Sequence, residues 1–202
     1  MNKCFLSLAA AAALLAGAGS AHAVVYTFNA TLTGASEVAP NVGGPGSGIA
    51  ILAYDTQGTA SLLDDTYSFS MSVFGLTGGT GGRAANAFHI HGAATTTENG
   101  PVRVSLDAAP FVALNTGSTL LVGGSNVAAP VFATGNGSYP VMSFLDMLRG
   151  GLAYVNVHTT DNPGGAVRGQ LFQVSVVPEP STYAMLLAGV AALGLLARRR
   201  QR

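Results

Sequence analysis

Apolar positions in the middle of the chain recur mostly at every second residue. Tyr26, Phe28, Ala30 and Leu32 alternate with Thr27, Asn29 and Thr31, and Tyr67, Phe69, Met71 and Val73 alternate with Ser68, Ser70 and Ser72. A period of two sends successive side chains to opposite faces, so both segments predict strands with one buried face. After Gly48 the apolar run 49–54 predicts a strand between them, and the polar stretch from Asp55 to Asp65 is the hairpin loop to the next strand. The acids of that loop lack EF-hand spacing, so the loop is read as a turn rather than a calcium site. Further strands are expected over 87–91, 102–106, 152–158 and 166–176, separated by Gly-, Asn- and Pro-rich connections at 77–82, 95–101 and 161–165. One short helix fits 143–149: Phe144, Leu145 and Leu148 share a face, Ser143 can cap the start and Gly150 can end it. The segment 115–137 has scattered apolar pairs without a clear period and no element is assigned to it. No internal repeat is evident. Seven or more short strands with turn signals between them predict an all-β fold, a Greek-key antiparallel sandwich with one short helix.

Composition agrees with that class. The 202 residues include 27 glycines, 7% aromatics and no Trp, which favours short strands and tight turns over long helices. One core of about 150 residues is the expected domain count. The formal net charge of zero conceals a separation. Five of the nine basic residues are Lys3, Arg198, Arg199, Arg200 and Arg202, so the interval 24–177 carries only Arg83, Arg103, Arg149 and Arg168 against eight acids. An acidic, lysine-free domain has no basic surface for phosphates, which excludes nucleic acid as a partner.

The two ends read as addresses. Lys3, an apolar run to Ala18 and a small-x-small ending at Ala23 form a secretory signal peptide, 1–23, cleaved after Ala23 by signal peptidase. The sole cysteine, Cys4, leaves with it, so the mature chain has no internal disulfide and no thiol nucleophile. At the other end Pro178, Glu179 and Pro180 precede an apolar span, 181–197, and a basic tail, 198–202. The span is just long enough to cross a bilayer as a transmembrane helix, and the arginines behind it place its end in the cytoplasm. This tripartite pattern resembles the PEP-CTERM sorting signal of Gram-negative bacteria. The resemblance implies an inner-membrane-anchored precursor, recognition by the transpeptidase exosortase, and delivery to the cell surface or extracellular matrix, where polysaccharide or envelope proteins are the expected partners.

Three histidines remain in the domain, His89, His91 and His158. His89 and His91 stand two apart, so both imidazoles leave the same strand face while Phe88 and Ile90 enter the core. In 152–158 the alternation puts Ala153, Val155 and Val157 on one face and Tyr154, Asn156 and His158 on the other. If the two strands are neighbours, three imidazoles meet, a donor set suited to copper or zinc. The alternatives are histidines that only hydrogen-bond within the fold, or another catalytic use. Tyr154 and Asn156 either orient the imidazole N–H groups or face solvent as ordinary strand residues.

The segments FHIHG at 88–92, NGPVRV at 99–104, YVNVHT at 154–159 and PGGAVRGQL at 163–171, with the opening 28–40, resemble the CHRD domain, named after chordin. The likeness covers 24–176 and implies an extracellular module, without a general activity. A looser similarity links the His-x-His strand, the later histidine and Arg168 to copper/zinc superoxide dismutases, in which an arginine guides the anion to copper. The bridging histidine, the zinc cluster and the disulfide are missing, and Arg168 reads either as that guide or as a structural fork. No nucleophile elbow, Walker loop or dinucleotide fingerprint is present. The expected function is therefore an exported, exosortase-sorted structural or binding module without enzymatic activity, with a copper- or zinc-binding domain of redox capability as the alternative.

Overall fold

The computed structural model describes residues 23–131, 137–178, 186–191 and 193. Ten strands follow in chain order: β1 (Val24–Thr33), β2 (Ser47–Asp55), β3 (Thr66–Phe74), β4 (Ala87–His91), β5 (Val102–Ser105), β6 (Val112–Thr116), β7 (Thr119–Ala128), β8 (Tyr154–His158), β9 (Val167–Gln170) and β10 (Phe172–Pro178). A short helix, α1 (Phe144–Arg149), precedes β8. Every strand pairing is antiparallel.

The strands form one curled sheet that folds into two layers. The larger layer runs β10-β1-β2-β3-β7-β6, the smaller β9-β8-β4-β5, and the two are continuous through the pair Thr33 and Arg168 between β1 and β9. The chain passes between layers after β3, β5, β7 and β9, which gives the crossed connections of a Greek key. Phe28, Leu32, Leu52 and Val73 from one layer meet Ile90, Val155, Val157 and Val167 from the other in a single buried core. α1 closes one end of that core. Ser143 caps it by accepting from Asp146 N at 3.0 Å, and the buried Phe144 ring packs edge-on against Tyr67 at 5.6 Å and tilted against Tyr54 at 6.2 Å.

The apolar run 49–54 has one buried face: Ala50, Leu52 and Tyr54 are buried while Ile49 and Ile51 are 57% and 44% exposed. Two features depart from the sequence pattern. The segment expected as one strand over 166–176 divides at Leu171, whose N–H bonds Ala153 O, into β9 beside β8 and β10 beside β1. The unassigned stretch contains β7, which with β6 forms a hairpin whose two-residue turn starts at Gly117, φ 58°. No helix among the described residues is long and apolar enough to cross a membrane. The expected span 181–197 lies largely outside them, as do 1–22, Glu179 and Pro180, although 186–191 are helical.

Phe144 ties α1 to two strands through ring contacts, so truncation leaves a void that the sheet cannot fill. Phe144→Ala should cost about 3–5 kcal/mol of unfolding free energy, read as a lowered urea midpoint with little change in slope.

Candidate metal centre

β4 and β8 are direct neighbours, and their register assembles the site. Phe88 pairs with Val157 and Ile90 with Val155 on the core side. On the outer side His89 pairs with Asn156, His91 with Tyr154, and Ala87 with His158. β9 extends the outer rows, placing Arg168 beside Asn156 and Gln170 beside Tyr154. The face turned away from the core thus carries every polar residue that the alternation assigned to it.

The three histidines come together. Ring centroids are 5.5 Å apart for His89 and His91, 5.3 Å for His89 and His158, and 5.8 Å for His91 and His158. One ring nitrogen from each lies within 4.8 Å of the others. The hydrogen bonds of the opposite nitrogens set the tautomers. His91 Nδ1 is 2.9 Å from Gly100 O and His158 Nδ1 is 3.0 Å from Pro163 O. A carbonyl oxygen only accepts, so both Nδ1 atoms carry the proton and both Nε2 atoms carry a lone pair. Those two Nε2 atoms, and Nδ1 of His89, are buried without a hydrogen-bond partner. His89 turns its Nε2 outward to Asp107, 3.9 Å from Oδ2.

Burial pushes His91 down to about 4 and also lowers His89 and His158, while Asp107 pulls the last two partly back. The imidazoles are therefore neutral at pH 7, and their lone pairs do not compete with protons for a cation. The cluster lies in a cavity of about 480 Å³ that opens to solvent, with Val102, Thr160 and Pro163 among its walls.

The loop carrying Gly100 is held by the interior of the polar face. Arg168, 1% exposed, donates to Thr95 O at 2.8 Å and Asn99 Oδ1 at 3.2 Å, and its guanidinium lies 3.5 Å from the centre of the Tyr154 ring. Tyr154 stacks on His91 at 5.0 Å and 15°, and its hydroxyl both accepts from Gly100 N and donates to Gly100 O. Glu98 closes the same loop, accepting from Thr95 N and Oγ1 and from Tyr139 Oη. Arg168 is packed against Tyr154 and is not among the residues lining that cavity, and its contacts to Thr95 O and Asn99 Oδ1 are of the kind a structural fork makes. Tyr154 and Asn156 do not bond an imidazole. Tyr154 positions Gly100, and Asn156 donates to Gly164 O at 3.3 Å beside the carbonyl that holds His158.

Two family models match this chain, a CHRD domain over residues 28–171 and a PEP-CTERM protein-sorting motif over 176–201. The chain belongs to the CHRD domain family. The second match makes this CHRD protein an exported substrate of exosortase sorting in Gram-negative bacteria. No curated protein and no solved structure matches it.

Sequence spacing gave no role to two residues beside the candidate centre. Asp107 lies just beyond β5, where Ser105 pairs with His89, and only the register brings it to the imidazole. Glu37 follows β1, and its carboxylate oxygens are buried without a hydrogen-bond partner. Burial pushes it up to about 7 against the pull of nearby Arg168 and Asn156. Gly165, at φ 145°, leaves room for it, because a Cβ there would stand 2.3 Å from Glu37 Oε1 and 2.6 Å from Asn156 Oδ1.

These groups set opposing pH dependences. As pH falls from 6.5 towards 4, the unfolded chain protonates imidazoles that the folded chain keeps neutral, so acid destabilises. Glu37 works the other way. Between 4.5 and about 7 the folded chain keeps a proton that the unfolded chain has lost, so its contribution falls as pH rises. Glu37→Gln removes the second effect. The melting temperature of metal-free Glu37→Gln protein should therefore drop more steeply between pH 7 and 4.5 than that of the wild type, and equal slopes would contradict the buried-carboxyl assignment.

Proposed function

We propose that this exported CHRD domain is a transition-metal-binding module of the cell envelope or matrix, with copper or zinc held by His89, His91 and His158. The observation that carries the reading is the set of three ring nitrogens, His89 Nδ1, His91 Nε2 and His158 Nε2, buried without hydrogen-bond partners in a cluster whose histidines each offer one nitrogen within 4.8 Å of the others. Each unsatisfied buried acceptor costs about 1–3 kcal/mol, and hydrogen bonding within the fold accounts only for the opposite nitrogens. One cation would satisfy all three. Imidazole suits both copper and zinc, and metal–nitrogen bonds of about 2.0–2.1 Å correspond to nitrogens about 3.3 Å apart in a tetrahedral set. His89, whose outer nitrogen has no short hydrogen bond, is the ligand free to close that gap.

In this reading 24–177 is the working domain. Signal peptidase removes 1–23 after Ala23, and 178–202 is the sorting signal. Pro178, Glu179 and Pro180 form the motif, 181–197 holds the precursor in the inner membrane, and 198–202 stays in the cytoplasm. Polysaccharide or envelope proteins are its neighbours after sorting. The role in this reading is binding rather than catalysis, which the burial of Arg168 against the Tyr154 ring, outside the lining of the histidine cavity, supports.

Two measurements test this. The exported chain should bind close to one equivalent of copper or zinc, and metal at a hundredfold excess over Kd should add about 2.7 kcal/mol of stability. His91→Ala and His158→Ala should weaken binding more than tenfold, whereas protein that stays metal-free in excess copper and zinc with an unmoved melting temperature would sink the proposal. For sorting, deletion of 178–180 should leave the chain unprocessed in the membrane fraction, and unchanged surface delivery on immunoblots would refute it.

A further inference from the structure

Resting on that metal reading, we infer that the fourth coordination position takes a small monocarboxylate, one oxygen on the metal and the other on the hydroxyl of Thr160. The cluster of convergent donors among the described residues consists of the three histidines and includes no carboxylate. The nearest acid, Asp107, faces Nε2 of His89, on the opposite side of that ring from the inward Nδ1. Three neutral imidazoles would leave a divalent cation's charge uncompensated, and the cavity that the three histidines line opens to solvent. An anion from solvent is the ligand that charge balance favours.

Cavity size and walls narrow the class. About 480 Å³ is far more than a water's share of about 30 Å³ and within the range of small-molecule pockets. Its walls include Ala87, Val102 and Pro163, and no lysine or arginine. An organic monoanion with a short apolar substituent fits such a lining, and a polyanion does not. Thr160, exposed on the rim, supplies the second contact. Its Oγ1 accepts from Asn86 Nδ2 at 2.6 Å, and among the described residues its own proton has no acceptor. Asn86 is in turn oriented by Thr80, which donates to Oδ1 at 3.0 Å, so the rim donor is held in place before a ligand arrives.

The test uses the exported chain loaded with copper(II), its metal content measured first, titrated with sodium acetate and separately with sodium azide while the visible and electron paramagnetic resonance spectra are followed. Acetate and azide should both shift the copper spectra. Thr160→Val should weaken acetate about tenfold and leave azide within twofold, and Thr160→Ser should restore acetate binding. Copper-loaded protein whose spectra ignore both anions overturns the open position while leaving metal binding intact. A response to azide alone, or an acetate affinity indifferent to Thr160→Val, overturns the carboxylate pairing. Protein that takes up neither copper nor zinc removes this inference together with the metal reading beneath it.

Discussion

The burial of one guanidinium organises the polar half of this domain. Arg168 is almost wholly withdrawn from water, and a charge in that position persists only if its donors are met. Thr95 O and Asn99 Oδ1 meet them from a loop some seventy residues away in sequence, and the face of Tyr154 covers the cation. Satisfying Arg168 therefore fixes where the 95–100 loop lies. The position of that loop fixes Gly100 O, and Gly100 O fixes the tautomer and tilt of His91. Removing the guanidinium would leave the loop carbonyl and amide without donors and the Tyr154 ring without its cover. His91 would then lose the acceptor that keeps its Nε2 unprotonated. The geometry of the candidate centre is thus a consequence of a buried charge that never touches it.

Strand alternation separates two jobs that would otherwise conflict. Val155 and Val157 pack into the core, while Tyr154, Asn156 and His158, one step out of phase, build the polar face. A one-residue slip between β4 and β8 would exchange the two sets, burying imidazoles in the core and exposing valines. The apolar core therefore holds the histidines in register, and the site inherits its precision from packing that contains no chemistry.

That coupling explains what could be read from the sequence. His89, His91 and His158 were legible because period-two alternation is local, and their convergence needed one further fact, that β4 and β8 pair. The strands with a clean polar face were legible for the same reason. β6 and β7 were not, because Val112 and Leu114 are exposed and blur the alternation, and Gly123 and Gly124 interrupt it. The break at Leu171 was hidden because the alternation runs on while the pairing partner changes. Gly100, Pro163, Asp107 and Glu37 lie outside any periodic pattern. Their roles depend on hydrogen bonds or burial formed by loop closure, which no spacing rule reports. Arg168 carried two readings in the sequence, and its burial against Tyr154, which no spacing reports, supports the structural one.

The sole cysteine, Cys4, lies outside the matched domain, so the CHRD domain of this exported protein has no internal disulfide, whereas small domains outside the cytoplasm commonly rely on them. A disulfide acts by joining segments distant in sequence, and the polar face does the same without sulfur. Arg168 joins β9 to the 95–100 loop, Asn41 joins the segment after β1 to Gly164 at 3.0 Å, and Gln170 joins β9 to Ala94 and Gly151. A cation shared by His89, His91 and His158 would add a link of the same kind between β4 and β8. Because each histidine's outer nitrogen faces a carbonyl or a carboxylate from a neighbouring segment, that link would also tighten the connections around it. Metal binding would then add to the stability of a domain that is already folded without it. Burial, which lowers the pKa of all three imidazoles, would reduce the competition of protons with such a cation.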